Sequence, residues 1–445
     1  MRRGNTLIAL AAAFIAALAI PGNTTSAFAA NSERVLYSFC SVVKDYNCAD
    51  GTQSWAGLIF DSAGNLYGTT AAGGNLGCAN IGAYGCGTVF KLTRSSDGKW
   101  TEDVLYRFCS VSNCTDGDAP YDGLIFDSAG NLYGTTSAGG SSQLCFTPNP
   151  PYPQGCGTVF ELTPGADGQW TETVLYTFCS TGNCTDGQSP FGGLVSDSHG
   201  NLYGTTYAGG AFGYGTVFEL ARGDHGEWTY RVLHSFDRTN GATPEFGNLI
   251  FDRAGNLFGT TFDGGSCDIG YLGRGLVFKL TRRGDGEWTE KVLHEFCNTA
   301  DGYGLYSGLV SDKAGNLYAT TYSGGRFSLG TVFQLARGLH DEWTEKILHS
   351  FNGKDGCGPG GSLTFDAAGN LYGNANCGGA NDRGTIFRLT PGAAGKWTEV
   401  WYSFKPGNDG YFPDADLIFD AAGHLYGTTF AGGEYDGGTV YEFIP

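Results

Sequence analysis

Basic residues are scarce in this 445-residue chain of formal net charge −18, yet Arg274, Arg326 and Arg383 fall in corresponding glycine-rich stretches of three consecutive repeats. Aromatic residues stand in the same class of stretch: Tyr207, Phe262, Tyr322 and Phe430 follow a Thr-Thr or equivalent pair, and Tyr214 and Tyr435 lie a little further on. A guanidinium fork pairs with a carboxylate and a ring stacks on the apolar face of a sugar, so this set would suit an acidic saccharide. The bland alternative is a solvated rim. If a bond is broken, a lyase would neutralise a uronate with Arg326 or Arg383 and move a proton through Tyr322. A hydrolase needs two carboxylates flanking one bond, and Asp263 with Asp301 is the pair the sequence offers.

Other chemistries find less support. Asp50, Asp116, Asp186, Asn240, Asp301, Asp355 and Asp409 each precede a glycine and could ring one face, but Asx-Gly is ordinary turn chemistry. A recurrent D-x-x-G-N could be taken for a calcium loop, yet it lacks the alternating acids of one, so it too reads as a tight turn. Variation in it and the strand after it (Phe258, Ala319, His424) reads as drift. His234, His294 and His349 occupy a position that is Tyr in other copies, which suits packed rings; no metal site is expected. Neither G-x-S-x-G nor a phosphate-binding G-x-x-x-x-G-K occurs, and a quinone-dependent dehydrogenase would need a cofactor signature beyond the repeated Trp. No cofactor is expected.

These residues must be positioned by a repeat. "DSAGNLYGTT" stands at Asp61 and again, letter for letter, at Asp127; related copies start at Asp197, Asp252, Asp312, Asp366 and Asp420. Every copy is built from β-like runs in one order, in the second copy "GLIFD", "NLYGTT", "GTVFELT" and "WTETVLYTF". Short turns join the first run to the second and the third to the fourth, whereas the other connections are long and glycine-rich, so long loops gather at one end of each sheet. Only six fourth runs follow a third one, headed by Trp100, Trp170, Trp228, Trp288, Trp343 and Trp397; the seventh is supplied by "RVLYSF" at Arg34–Phe39. The expectation is an all-β, seven-bladed propeller with four antiparallel strands per blade, closed by residues 34–39 completing the last blade.

The string "GLIFDSAGNLYGTT…GG…GTVFKLT" resembles the GloVer-type tandem repeats of secreted bacterial proteins, and its first hairpin is similar to those of NHL-type propellers. The resemblance spans the chain after its first 30 residues. It implies export, a repeated β fold and an anchor that varies between members; it implies no common activity, and no anchor is expected in this chain.

Residues 1–29 read as an export signal, with Arg2 and Arg3 before an apolar run and Ala27-Phe28-Ala29 as a cleavage site, leaving 30–445 as one domain, secreted or periplasmic. Losing both arginines takes the net charge to −20, which argues against nucleic acid or anionic membrane as partners; a monomer without a membrane span is expected. The 14 cysteines then become loop staples: 40 with 48, 78 with 86, 109 with 114, 145 with 156 and 179 with 184. The remaining four are expected as 267–297 and 357–377, a connectivity that sequence does not prove. The leading function is binding of a glycan, an envelope component or a protein through the long-loop face; the alternative is a polysaccharide-degrading enzyme using that face.

Overall fold

A computed structural model describes residues 32–44, 47–75, 85–142, 155–267 and 274–445. The expected leader lies outside these residues, as do Cys78 and Cys145 and with them the expected 78–86 and 145–156 pairings.

Seven four-stranded antiparallel sheets surround one axis. In the first blade the order from the axis outward is Ile59–Phe60, Leu66–Thr70, Thr88–Arg94 and Trp100–Arg107. The seventh is assembled from both ends of the chain: Ile418–Phe419, Leu425–Thr429 and Thr439–Ile444, then Ser32–Ser38 on the outside. Ser32 pairs with Ile444 and Val35 with Tyr441, so the closure expected from the unmatched fourth run is present.

Innermost strands are shorter than the sequence suggests, two residues each, because the strands converge at the axis and their leading backbone groups bond across blades instead of within a ladder. Second strands are buried on both faces, since blades pack face to face. Tyr67, Val89 and Phe108 of the first blade share a cluster with Leu124, Leu132, Phe160 and Leu162 of the second. Each such side chain contributes about 1.5–3 kcal/mol on full burial. The glycine of "LYGTT" lies under a third-strand phenylalanine: a Cβ at Gly134 would stand 2.6 Å from Phe160 Cζ. Blade five carries Ala319 there, fully buried in its own cluster. His424 is likewise committed, with Nδ1 3.3 Å from Asp420 and 3.2 Å from Glu442.

Most fourth strands carry a β-bulge opposite the third, as between Val159 and Phe160. The sixth blade has none, because "WTEVWYSF" is one residue shorter than "WTETVLYTF". The D-x-x-G-N turn is architecture. Asp61 Oδ1 accepts from the amides of Ala63 and Asn65 at 2.9 Å, and Oδ2 from Asn65 Nδ2 at 2.7 Å and the Tyr67 hydroxyl at 3.1 Å. Burial raises this carboxyl, but those donors outweigh it and hold it below the usual range.

Cys40–Cys48, Cys109–Cys114, Cys179–Cys184, Cys267–Cys297 and Cys357–Cys377 are disulfides, the last two as expected. Among the described residues no helix is long and apolar enough to cross a membrane.

Candidate functional site

The residue two places before each inner-strand "GL" or its equivalent is Trp55, Tyr121, Phe191, Phe246, Tyr306, Gly360 and Asp414 in blades one to seven. Convergence of the inner strands brings these positions together on the long-loop face. Most of the loops that carry them are tied down by the preceding blade: Thr69 Oγ1 donates to the Asp122 carbonyl at 3.0 Å, Thr135 Oγ1 to that of Gly192 at 3.1 Å, and Thr260 Oγ1 to that of Ser307 at 3.0 Å. In blade six Asn374 takes the place of that threonine and reaches the Ala415 carbonyl at 2.9 Å. The repeated Thr-Thr thus fixes the loops around the axis.

An axial cavity of about 260 Å³ results, lined by Trp55, Tyr121, Phe246, Tyr306 and Tyr322 together with Asn376, Asp414, Asp416 and Asp122. Phe246 reaches over the axis: its ring centroid is 6.4 Å from Trp55, 6.3 Å from Tyr121, 5.6 Å from Phe191 and 5.7 Å from Tyr306. Phe430 adds to Trp55 at 4.6 Å, Tyr207 to Phe191 at 5.5 Å, and Phe262 and Tyr322 to Tyr306 at 4.6 and 5.0 Å. Gly360 and Gly361 make room for the acids: a Cβ on Gly360 would meet Asp414 Oδ1 at 2.7 Å, and one on Gly361 the Ala415 carbonyl oxygen at 2.4 Å.

The three carboxyls are held by neutral donors. Asp122 Oδ2 accepts from the Gly193 amide at 2.8 Å, and that amide also donates to Asn248 Oδ1 at 2.7 Å. The Ser362 amide donates to Asp416, and Asn376 Nδ2 to Asp414. Burial, with Asp416 nearby, pushes Asp122 up to about 7; burial pushes Asp414 up to about 7 and raises Asp416. Glu245, near the aromatic wall, rises to about 7 through burial and then the charge of Asp263.

The residues expected from sequence divide between this cavity and its surroundings. Tyr322 lines it, and Tyr207 and Phe262 extend its wall. Asp263 sits behind that wall, accepting from Thr243 Oγ1 at 3.3 Å. The arginines instead lie over rings of their own surroundings: Arg274 on Tyr303 at 4.8 Å, Arg326 on Phe327 at 5.3 Å, Arg383 on Tyr411 at 4.9 Å. None of them lines the axial cavity; Arg383 borders a separate shallow depression with Tyr411 and Asp436. Tyr214 and Tyr435 are exposed on the rim.

Asp301 is not brought to Asp263. It belongs to the Asx-Gly series, which folds outward to latch neighbouring blades. Tyr37, Tyr106 and Tyr176 donate their hydroxyls to Asp50, Asp116 and Asp186 at 2.7 to 2.8 Å. A glutamate of the next blade's outer strand approaches the same point: His349 Nε2 is 3.3 Å from Asp355 and 3.1 Å from Glu399, and His294 Nε2 is 3.6 Å from Glu345, which Asp301 also influences. His294, Asp301 and Glu345 lie close enough to surround an ion, as do His349, Asp355 and Glu399. The Tyr-Asp pairs that fill the same place in other blades mark it as a structural joint.

The axial ring is not signalled by the loops after the second strand, where the copies differ most in length. Comparing the copies two residues before "GL" shows five aromatics, a glycine and an aspartate.

A family model described as the Gloeobacter/Verrucomicrobia repeat matches residues 77–333 and 311–445. No curated protein matches the chain. Among solved structures, a Bacteroides uniformis protein described as a proposed 6-phosphogluconolactonase is similar at 14% identity and TM-score 0.49, over 85% of this chain and 99% of that one. A Dyadobacter fermentans protein of unknown function is similar at 11% identity and TM-score 0.45, over 82% and 96%.

Proposed function

The chain belongs to the Gloeobacter/Verrucomicrobia repeat family, and from that premise we propose that it is an exported propeller that binds a glycan in the axial cavity of its long-loop face. One observation carries this reading: Trp55, Phe246, Tyr306 and Tyr322 share one cavity with Asp414, Asp416 and Asp122, in a space the size of a sugar ring or two. Rings bury the apolar faces of a saccharide, while carboxyl and amide groups take its hydroxyls. The disulfides fit an oxidising compartment outside the cytosol. The test is a glycan panel titrated against the protein by calorimetry and tryptophan fluorescence. Saturable binding that is lost in Trp55→Ala supports the reading, and no response to any glycan sinks it.

A second reading, glycoside hydrolysis, is favoured by one feature: Asp122 and Asp414 are raised to about 7 beside the cavity, where a protonated carboxyl could act as general acid. They replace Asp263 with Asp301 as the pair to test. Reducing ends released by the wild type and abolished in Asp122→Asn or Asp414→Asn would establish it.

A further inference from the structure

The axial cavity is lined by two kinds of group. Blades one, two, four and five contribute rings, whereas Asp414 and Asp416 of blade seven, with Asp122 of blade two, contribute acids. Among the described residues no lysine or arginine lines it. Hydrogen bonds from Gly193, Ser362 and Asn376 orient the acids without neutralising them.

Ligand charge decides what fits. An anionic sugar would meet three carboxyls in a poorly hydrated space and be repelled. A neutral sugar would stack on the rings but leave the acids either charged and desolvated or protonated. A cationic sugar supplies the missing countercharge. Its ammonium would be held by the carboxylates and by the electron-rich faces of the rings that share the cavity with them.

Resting on the glycan reading above, we propose that the axial cavity selects an amino sugar whose amine is free and protonated, the hexosamine ring lying on the Trp55–Phe246–Tyr306 wall and the ammonium meeting Asp414, Asp416 and Asp122. The fivefold aromatic, Gly360, Asp414 series explains the asymmetry: where two blades abandon the ring, one makes space and the other supplies charge.

The test titrates the full chain at pH 7.5 with glucosamine tetramer, N-acetylglucosamine tetramer and, as a cation without a sugar, a linear polyamine. The free-amine tetramer is expected to bind at least about tenfold more tightly than the acetylated one. Asp414→Asn and Asp122→Asn, checked for unchanged melting, are expected to erase that preference. Equal or tighter binding of the acetylated tetramer overturns the amino-sugar assignment but leaves glycan binding standing. Polyamine binding as tight as that of the free-amine tetramer overturns the requirement for a sugar. If neither these tetramers nor any glycan of the wider panel binds, the glycan reading itself fails.

Discussion

Arg34 Nη2 donates to Glu442 Oε2 at 2.6 Å across 408 residues of sequence, and the other oxygen of that carboxylate accepts from the Tyr426 hydroxyl at 2.8 Å. The two ends of the chain thus meet within one sheet, and Phe39, fully buried just after the closing strand, packs on Phe90 of the first blade at 5.0 Å. Closure is hydrophobic before it is electrostatic, since Arg34 is half exposed.

Phe39→Ala is therefore expected to cost about 3–5 kcal/mol in denaturant unfolding, and Arg34→Ala no more than about 1 kcal/mol. Deleting residues 32–38 should lower the melting temperature more than either. A deletion variant that melts like the parent would refute closure as a source of stability.

Most of this fold was legible because a repeat multiplies its own signal. Seven aspartates counted the blades, and the unmatched fourth run at Arg34 located the seam. Close cysteine spacing gave the loop staples. The site was less legible for the complementary reason. Trp55 and Phe246 are nearly 200 residues apart, and only the radial convergence of inner strands brings their rings to 6.4 Å. Arg274, Arg326 and Arg383 could be read as ligands because a sequence does not show that each already has a ring beneath it. Asp301 could be paired with Asp263 because loop composition does not show that one turns to the joint between blades and the other toward the axis.

The separation of rim from axis gives a second prediction. Trp55→Ala should weaken binding of any glycan ligand by at least about tenfold, as loss of a stacking ring does. Arg326→Ala, which alters an exposed side chain over Phe327, should leave affinity within about twofold. Calorimetry of both variants decides it, and the opposite ranking would move the site to the rim.

The joints between blades predict an unusual pH dependence of stability. Burial, then the neighbouring aspartate, raises Glu33, Glu102, Glu172 and Glu345 to about 8 and Glu399 to about 9. An acid raised on folding takes up a proton, so its contribution is full below the unfolded value near 4.5 and is lost as pH rises through 8 to 9. The turn aspartates act oppositely: Asp61, Asp127 and Asp366, lowered on balance by their hydrogen bonds, lose their contribution as pH falls below about 4. Melting temperature should peak near pH 5 and decline by several degrees toward pH 9. Glu399→Gln, which keeps the shape of the protonated acid, should flatten the alkaline limb; a stability that rises from pH 5 to 9 would contradict the protonated joints.

The last prediction concerns pH and ligand together. Burial, with Asp416 near Asp122, pushes Asp122 and Asp414 up to about 7 in the free cavity. An ammonium beside them favours their charged forms, so binding below pH 7 must expel protons and lose affinity as the pH falls. The other titratable groups facing the space are Asp416, Tyr121, Tyr306 and Tyr322, with Asp118, Glu245 and Asp263 behind the wall. Burial raises Asp416 as well, so it works in the same sense, and Glu245, near 7, adds to the slope. The tyrosines are held neutral, since burial raises each of them further. Affinity for a free-amine sugar should therefore fall by roughly tenfold or more from pH 7.5 to 5.5, with proton release detectable as a buffer-dependent calorimetric enthalpy. The acetylated sugar should show neither effect, because it carries no charge for the carboxyls to answer. A free-amine sugar whose affinity is flat across that range would mean that its ammonium does not meet Asp122 and Asp414.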